Sequence, residues 1–180
     1  ALEGWGCITF VSYVLLNDNE TQDIKERKMN SRTICHEISH MWFGNLVTME
    51  WWNDIWLNEG FARYNEFKCL DSFNKEYEIW NSYIDLIYYT ALNLDSGMNT
   101  HPVRDVCKGP RFLNDIFDTI SYAKGASVLR MLSEQMGYQP FKNGIIDYLK
   151  KYSFQNTTTK ELFDVLTLRR DNNEDVNSLM

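Results

Sequence analysis

Apolar residues recur at three- and four-residue intervals along most of the chain, which is the pattern of amphipathic helices. One series begins near Asn30-Ser31, and a second begins between residues 54 and 58 and continues towards Leu70. The segment 48–56, TMEWWNDIW, interrupts the pattern between them. The sequence therefore predicts two helices joined by a short aromatic turn.

More helices are predicted in the second half of the chain. A long amphipathic stretch ends at Asp95-Ser96-Gly97, and residues 119–136 form another, with Gly137 as the stop signal. The segment 99–118 between them is irregular. Two shorter helices follow, and the last is preceded by Thr158-Thr159-Lys160-Glu161, the form of a capping box. One face of the long stretch is predicted to hold Tyr77, Ile84, Ile87, Tyr88 and Leu92.

The strand signal is confined to the N-terminus. Residues 6–16, GCITFVSYVLL, are rich in β-branched and aromatic residues and stop at Asn17-Asp18-Asn19, which predicts a strand or bent pair followed by a turn. Residues 171–180 are polar and are predicted to be a fraying tail. The fold class is therefore predicted as mainly α, with only a small β element at the N-terminus.

The composition and net charge indicate which classes of protein the chain can belong to. With 180 residues, 44% hydrophobic and 24% charged, the chain suits one folded domain. A net charge of −7 without a basic cluster argues against a nucleic acid partner. The apolar runs are shorter than the roughly 18 residues of a bilayer crossing, so no membrane span is expected in this segment. The chain opens at Ala1, so two compartments stay open, the cytoplasm and the cell surface on a membrane anchor.

The four cysteines are widely spaced and contain no CxxC pair. Such spacing suggests neither a thiolate zinc cage nor a redox pair. The sequence predicts free thiols that are mostly buried.

The segment His36-Glu37-Ile38-Ser39-His40 is an HExxH motif on a predicted helix. On a helix, residues 36 and 40 lie about 40° apart around the axis and one turn apart along it, so both imidazoles can bind one metal ion. Glu37 lies about 100° from His36 and can reach a water molecule on the metal. The alternative, two surface histidines without a metal, is disfavoured because the motif uses two of only three histidines.

A hydrolytic zinc site has three protein ligands and an open fourth position. The metzincin pattern needs glycine and histidine where this chain has Phe43 and Leu46, so that class is excluded. A glutamate from a following antiparallel helix is the other solution. Glu59 lies on the second predicted helix and is preferred, while Glu50 in the turn and Glu66 two helical turns further on fit less well. The cofactor expected is one Zn²⁺ ion.

Two blocks of the sequence resemble the gluzincin zinc aminopeptidases, the family that includes aminopeptidase N and puromycin-sensitive aminopeptidase. The first block is HEISHMWFGNLVTMEWWNDIWLNEGFA at residues 36–62, and the second is FDTISYAKGA at residues 117–126, similar to FDxISYxKGA. The likeness runs from residue 1 to about 168. It implies that residues 1–170 are part of a thermolysin-like zinc peptidase catalytic domain, followed by the polar tail 171–180.

The resemblance also implies roles for individual residues. His36, His40 and Glu59 match the zinc ligands, and Glu37 matches the general base. Tyr122 matches the tyrosine whose hydroxyl stabilises the oxyanion of the tetrahedral intermediate. A neutral hydroxyl donor suits that role because negative charge develops on the carbonyl oxygen.

The N-terminal residues Ala1-Leu2-Glu3-Gly4 occupy the place of the family's GxMEN exopeptidase motif. Glu3 matches the glutamate that binds the free α-amine of the substrate. The methionine and asparagine of the motif are replaced by Leu2 and Gly4, and the usual YRETxLL reads FVSYVLL at residues 10–16.

The resemblance implies a zinc-dependent aminopeptidase that hydrolyses the N-terminal peptide bond of peptides by metal-activated water. Its substrates are expected to be peptides with a free N-terminus. Family members also have a β-rich domain before this region and a helical domain after it, and these missing flanking domains are expected to be needed for a closed active site. The alternative is a catalytically inactive remnant that acts as a metal-stabilised module binding peptides or a partner.

Overall fold

Helices form most of the computed structural model, which describes residues 1–16, 22–98, 100–109 and 116–169, with Arg111 and Val176. The helices are α1 (Ser12–Leu15), α2 (Ile24–Ser39), α3 (Trp56–Phe73), α4 (Ile79–Tyr83), α5 (Tyr89–Asp95), α6 (Gly125–Met136), α7 (Tyr138–Lys151) and α8 (Thr159–Thr167). Two π-helical turns, Ile84–Tyr88 between α4 and α5 and Ile120–Lys124 before α6, complete the long helices. The mainly α prediction is confirmed. Within the described residues, no helix combines the length and apolar character needed to cross a bilayer.

The helix that carries the HExxH motif begins earlier than predicted. Helix α2 starts at Ile24, and the Asp23 carboxylate accepts a hydrogen bond of 2.8 Å from the backbone N–H of Glu26. This cap fixes the start of the helix ahead of the apolar series that the prediction used. The helix also ends at Ser39, because the backbone then turns towards Gly44, whose φ of +128° favours glycine.

The predicted N-terminal strand is wrong. Residues 12–15 form the helix α1, and an isolated antiparallel bridge joins Leu2 to Thr9. A two-stranded parallel sheet forms elsewhere, between β1 (Val47–Met49) and β2 (Gln155–Thr157). Strands of three residues are too short to carry a periodic signal, and their partners lie more than 100 residues apart in the chain. The predicted turn at residues 17–19 lies outside the described residues.

The C-terminal predictions have mixed outcomes. The capping box before α8 is confirmed, since the Thr158 side chain and the Glu161 side chain bond reciprocally to the backbone of the helix start. Gly137 follows α6, as predicted for a stop signal. Its φ of +80° lies in the region that favours glycine. Of the tail 171–180, only Val176 is described, and it is buried. The domain boundary at residue 170 therefore stays a prediction.

The buried face of the long amphipathic stretch differs from the predicted one. The buried residues recur at every fourth position, whereas Ile84, Tyr88 and Leu92 of the predicted face are exposed. The π-helical turn explains the difference, because its wider turn keeps every fourth residue on one side where an ideal α-helix would drift. The buried set is Ile79, Tyr83, Ile87 and Ala91.

Helix α3 runs through the core and crosses the start of α6 at two glycines. A Cβ atom added to Gly60 would lie 3.1 Å from the carbonyl carbon of Gly125. This backbone contact matters for the site because Gly60 follows Glu59 and Gly125 lies three residues after Tyr122. The glycine pair therefore sets the distance between two predicted site residues.

We expect Gly60→Val to destabilise the protein by about 2–3 kcal/mol, because the added methyl groups push α3 away from the backbone of α6. Chemical denaturation followed by circular dichroism measures this loss. The control is Lys150→Val on the exposed surface of α7, which should change the free energy of unfolding by less than about 1 kcal/mol. Equal losses in the two variants would show that the glycine contact is not tight.

Candidate metal centre

Helices α2 and α3 bring the side chains of His36, His40 and Glu59 into one buried cluster. The Nε2 atoms of the two histidines are 3.2 Å apart. The Oε2 atom of Glu59 lies 3.3 Å from Nε2 of His36 and 3.4 Å from Nε2 of His40. The three atoms therefore form a nearly equilateral triangle.

The size of this triangle fits a zinc ion. Ligand atoms about 2.0–2.1 Å from a tetrahedral zinc lie about 3.3 Å from one another, which is the edge length of the observed triangle. Among the described residues, Oε2 of Glu59 has no hydrogen-bond partner although it is fully buried. Two imidazoles and a carboxylate are a usual donor set for zinc, so the three residues could hold this metal.

The Nδ1 atom of each histidine ring lies close to an oxygen atom that can accept a hydrogen bond. Nδ1 of His40 lies 2.9 Å from the backbone carbonyl oxygen of Phe43, to which it donates in the tautomer that leaves Nε2 free to bind a metal. Nδ1 of His36 lies 3.2 Å from Oε2 of Glu66, although the pair is not aligned as a hydrogen bond. These contacts turn both Nε2 atoms towards Glu59.

The carboxylate of Glu66 is itself held by two arginines. Arg32 donates from Nε and Nη2 at 2.8 and 2.6 Å, and Arg63 donates from Nη1 to both oxygens at 3.1 Å. Sequence reasoning weighed Glu66 only as a ligand and missed this supporting role. A signal was present, because Glu66 lies two helical turns beyond Glu59 and so shares its face of α3.

Electrostatics favour the charged carboxylate of Glu59 and the protonated imidazole of His36. Burial alone would raise the pKa of Glu59, but the two imidazoles outweigh burial and lower the pKa to about 2. Burial lowers the pKa of His36, but Glu59 and Glu66 outweigh it and raise the pKa to about 9. The protons on the imidazoles must therefore leave when a metal ion binds.

Glu37, the predicted general base, is buried beside the triangle. Its Oε2 atom has no hydrogen-bond partner among the described residues. Burial raises the pKa of Glu37, the charges of His36 and His40 oppose the rise, and the charge of Glu3 adds to it. A carboxylate whose pKa is raised accepts a proton more readily near neutral pH.

Glu3, the predicted amine-binding residue, lies next to Glu37. A carboxylate oxygen of Glu3 is within 4.8 Å of ligand atoms of Glu37 and His40. The backbone carbonyl of Glu3 accepts a hydrogen bond of 2.9 Å from Nδ2 of Asn45, and Leu2 forms the bridge to Thr9. The N-terminal segment is thus fastened beside the triangle of His36, His40 and Glu59.

Tyr122 lies on the π-helical turn Ile120–Lys124, and its ring is parallel to that of His36 with the centroids 6.1 Å apart. The guanidinium carbon of Arg63 lies 5.6 Å from the centre of the tyrosine ring. Burial, together with the negative charge of Glu59, raises the pKa of Tyr122 well above its ordinary value. The hydroxyl therefore stays protonated and can donate a hydrogen bond.

Comparison with known proteins finds one family over the whole chain. The family model described as the Peptidase family M1 domain matches residues 1–180. The Tricorn protease-interacting factor F2 of Thermoplasma volcanium is 40% identical over 180 residues, which are 100% of this chain and 23% of that protein. The mitochondrial aminopeptidase 2 of Saccharomyces cerevisiae is 41% identical over 182 residues, covering 100% of this chain and 19% of its own length.

A human relative matches this chain with a similar identity. The endoplasmic reticulum aminopeptidase 1 of Homo sapiens is 40% identical over 164 residues, covering 91% of this chain and 17% of that protein. The chain thus spans about a fifth of the length of the curated relatives that it matches.

Proposed function

Because the chain belongs to peptidase family M1, we propose that it forms the catalytic centre of a zinc aminopeptidase, within a thermolysin-like catalytic domain. His36, His40 and Glu59 are the proposed ligands of one Zn²⁺ ion. The main support is the buried triangle of ligand atoms, 3.2–3.4 Å on each side. When bound, zinc acts as a Lewis acid that polarises the substrate carbonyl and makes water a better nucleophile.

In this proposal the other residues move protons and stabilise charge. Glu37 takes a proton from the attacking water and passes it to the departing amine, a role that suits a buried carboxylate with a raised pKa. Tyr122 donates a hydrogen bond to the carbonyl oxygen as its negative charge develops. Its raised pKa favours this role because the hydroxyl keeps its proton at neutral pH.

The proposed substrates are peptides with a free N-terminus. Their cationic α-amine would pair with Glu3, whose carboxylate lies within 4.8 Å of ligand atoms of Glu37 and His40. An amine fixed at Glu3 would put the first peptide bond beside Glu37. We also propose that segments equivalent to the rest of the longer relatives close the site over the substrate.

The test combines metal analysis with two substrates, an unblocked aminoacyl chromogenic amide and its N-acetylated form. We expect one zinc per chain and a kcat/KM at least about 100-fold higher for the unblocked substrate, because acetylation removes the charge that pairs with Glu3. Glu3→Gln should remove most of this preference while zinc stays bound.

Two results would contradict the proposal. Equal cleavage of the blocked and unblocked substrates would exclude an exopeptidase. One zinc per chain without any turnover, in a protein that also contains the segments proposed to close the site, would indicate a metal-stabilised binding module instead of an enzyme.

A further inference from the structure

Cys35 and Cys69 face each other between the two helices that carry the proposed metal ligands. Cys35 lies on α2 and Cys69 on α3, and the thiol of Cys35 donates to Sγ of Cys69 over 2.7 Å. Both are free thiols. A disulfide bond is about 2.05 Å long, so a shift of about 0.7 Å would join the two sulfur atoms.

The pair is placed so that one thiol can be reached from solvent and the other cannot. Cys69 is partly exposed, whereas Cys35 is buried. The other two cysteines lie apart: Cys7 is exposed near the N-terminus, and Cys107 is buried with Sγ 3.6 Å from the carbonyl oxygen of Gly109. An oxidant from solvent would therefore meet Cys69 first, with Cys35 in contact behind it.

We propose that Cys35 and Cys69 form a redox-active pair that closes into a disulfide between α2 and α3. The oxidant is a small-molecule disulfide such as oxidised glutathione. The Cys69 sulfur attacks it, forms a mixed disulfide and releases one small thiol. The Cys35 sulfur then attacks Sγ of Cys69 and releases the second. Two electrons and two protons pass from the cysteine pair to the small disulfide, which becomes two thiols.

The bond would join the helices close to the metal centre. Cys35 directly precedes His36, and the loop that the bond closes, residues 35–69, contains His40 and Glu59. Closing a loop of about 35 residues restricts the unfolded chain. The oxidised protein should therefore unfold at a temperature roughly 5–15 °C higher than the reduced protein.

The experiment is an equilibration of the protein in buffers with defined ratios of oxidised and reduced glutathione, followed by alkylation, proteolysis and mass spectrometry. The expected product is a peptide that links Cys35 to Cys69 and separates on reduction. Cys7→Ser should keep the link and the rise in unfolding temperature. Cys69→Ser should lose both, while circular dichroism shows an unchanged helical content.

Three results would overturn the proposal: both thiols alkylated under oxidising conditions, a stable glutathione adduct on Cys69 without a link, or a link through Cys7 or Cys107. None of these readouts uses peptide hydrolysis or zinc. The thiol pair is therefore tested separately from the proposed aminopeptidase activity.

Discussion

Replacing Glu37 by Gln is expected to lower the turnover of an unblocked aminoacyl substrate by about 10²–10⁴-fold while zinc stays in the site. The amide keeps the shape of the side chain but cannot take a proton from water. Zinc should remain because His36, His40 and Glu59 form the triangle of ligand atoms without Glu37. The measurements are kcat and the zinc content of the purified variant.

The matched control is Glu50→Gln, the same change at an exposed position outside the triangle. It should leave both kcat and zinc content near those of the unchanged protein. If Glu37→Gln kept most of the activity, another group would be the base. If it lost zinc together with activity, Glu37 would have to be counted among the ligands.

The local part of the site follows from helix geometry. Two histidines four residues apart share a helix face in any α-helix, so His36 and His40 could be paired from the sequence alone. Glu59 required a further assumption, that the next helix returns alongside the first. Helix α3 does so, and it begins at Trp56 as its pattern predicts.

The supporting contacts could not be predicted in the same way. The contacts among Glu66, Arg32 and His36 span two helices, and no spacing in the sequence defines which residues of packed helices meet. The sheet of β1 and β2 joins distant segments for the same reason. The prediction of an N-terminal strand failed because strand formation depends on packing against a neighbouring strand, and the described part of this segment makes only the isolated bridge between Leu2 and Thr9.

Helix α3 carries two buried carboxylates with different tasks on one face. Oε2 of Glu59 lies 3.3–3.4 Å from the Nε2 atoms of the two imidazoles, whereas the carboxylate of Glu66 is paired with Arg32 and Arg63. The positive charges of two guanidinium groups already compensate the negative charge of Glu66. Its carboxylate therefore attracts a metal ion less strongly. It can still orient an imidazole, since Oε2 of Glu66 remains 3.2 Å from Nδ1 of His36.

This difference predicts unequal effects of the same change at the two positions. Glu59→Gln should weaken zinc binding by about 70- to 900-fold, because zinc affinities of about 10–16 kcal/mol in sites with four protein ligands amount to about 2.5–4 kcal/mol for each ligand. Glu66→Gln should weaken it only about 10- to 100-fold, the usual effect of removing a group that orients a ligand. Competition with a chromogenic chelator measures both affinities, and circular dichroism shows whether each variant is folded.

The two variants are each other's control, since both replace a buried carboxylate of α3 by its isosteric amide. Equal losses of zinc affinity would contradict the proposal that Glu59 binds the metal while Glu66 only orients His36. A larger loss at Glu66 would make it the third ligand, and the triangle formed by Glu59 would then have no role in holding the metal. The expected order, with the greater loss at Glu59, follows because Oε2 of Glu59 completes the triangle of ligand atoms, while the charge of Glu66 is balanced by Arg32 and Arg63.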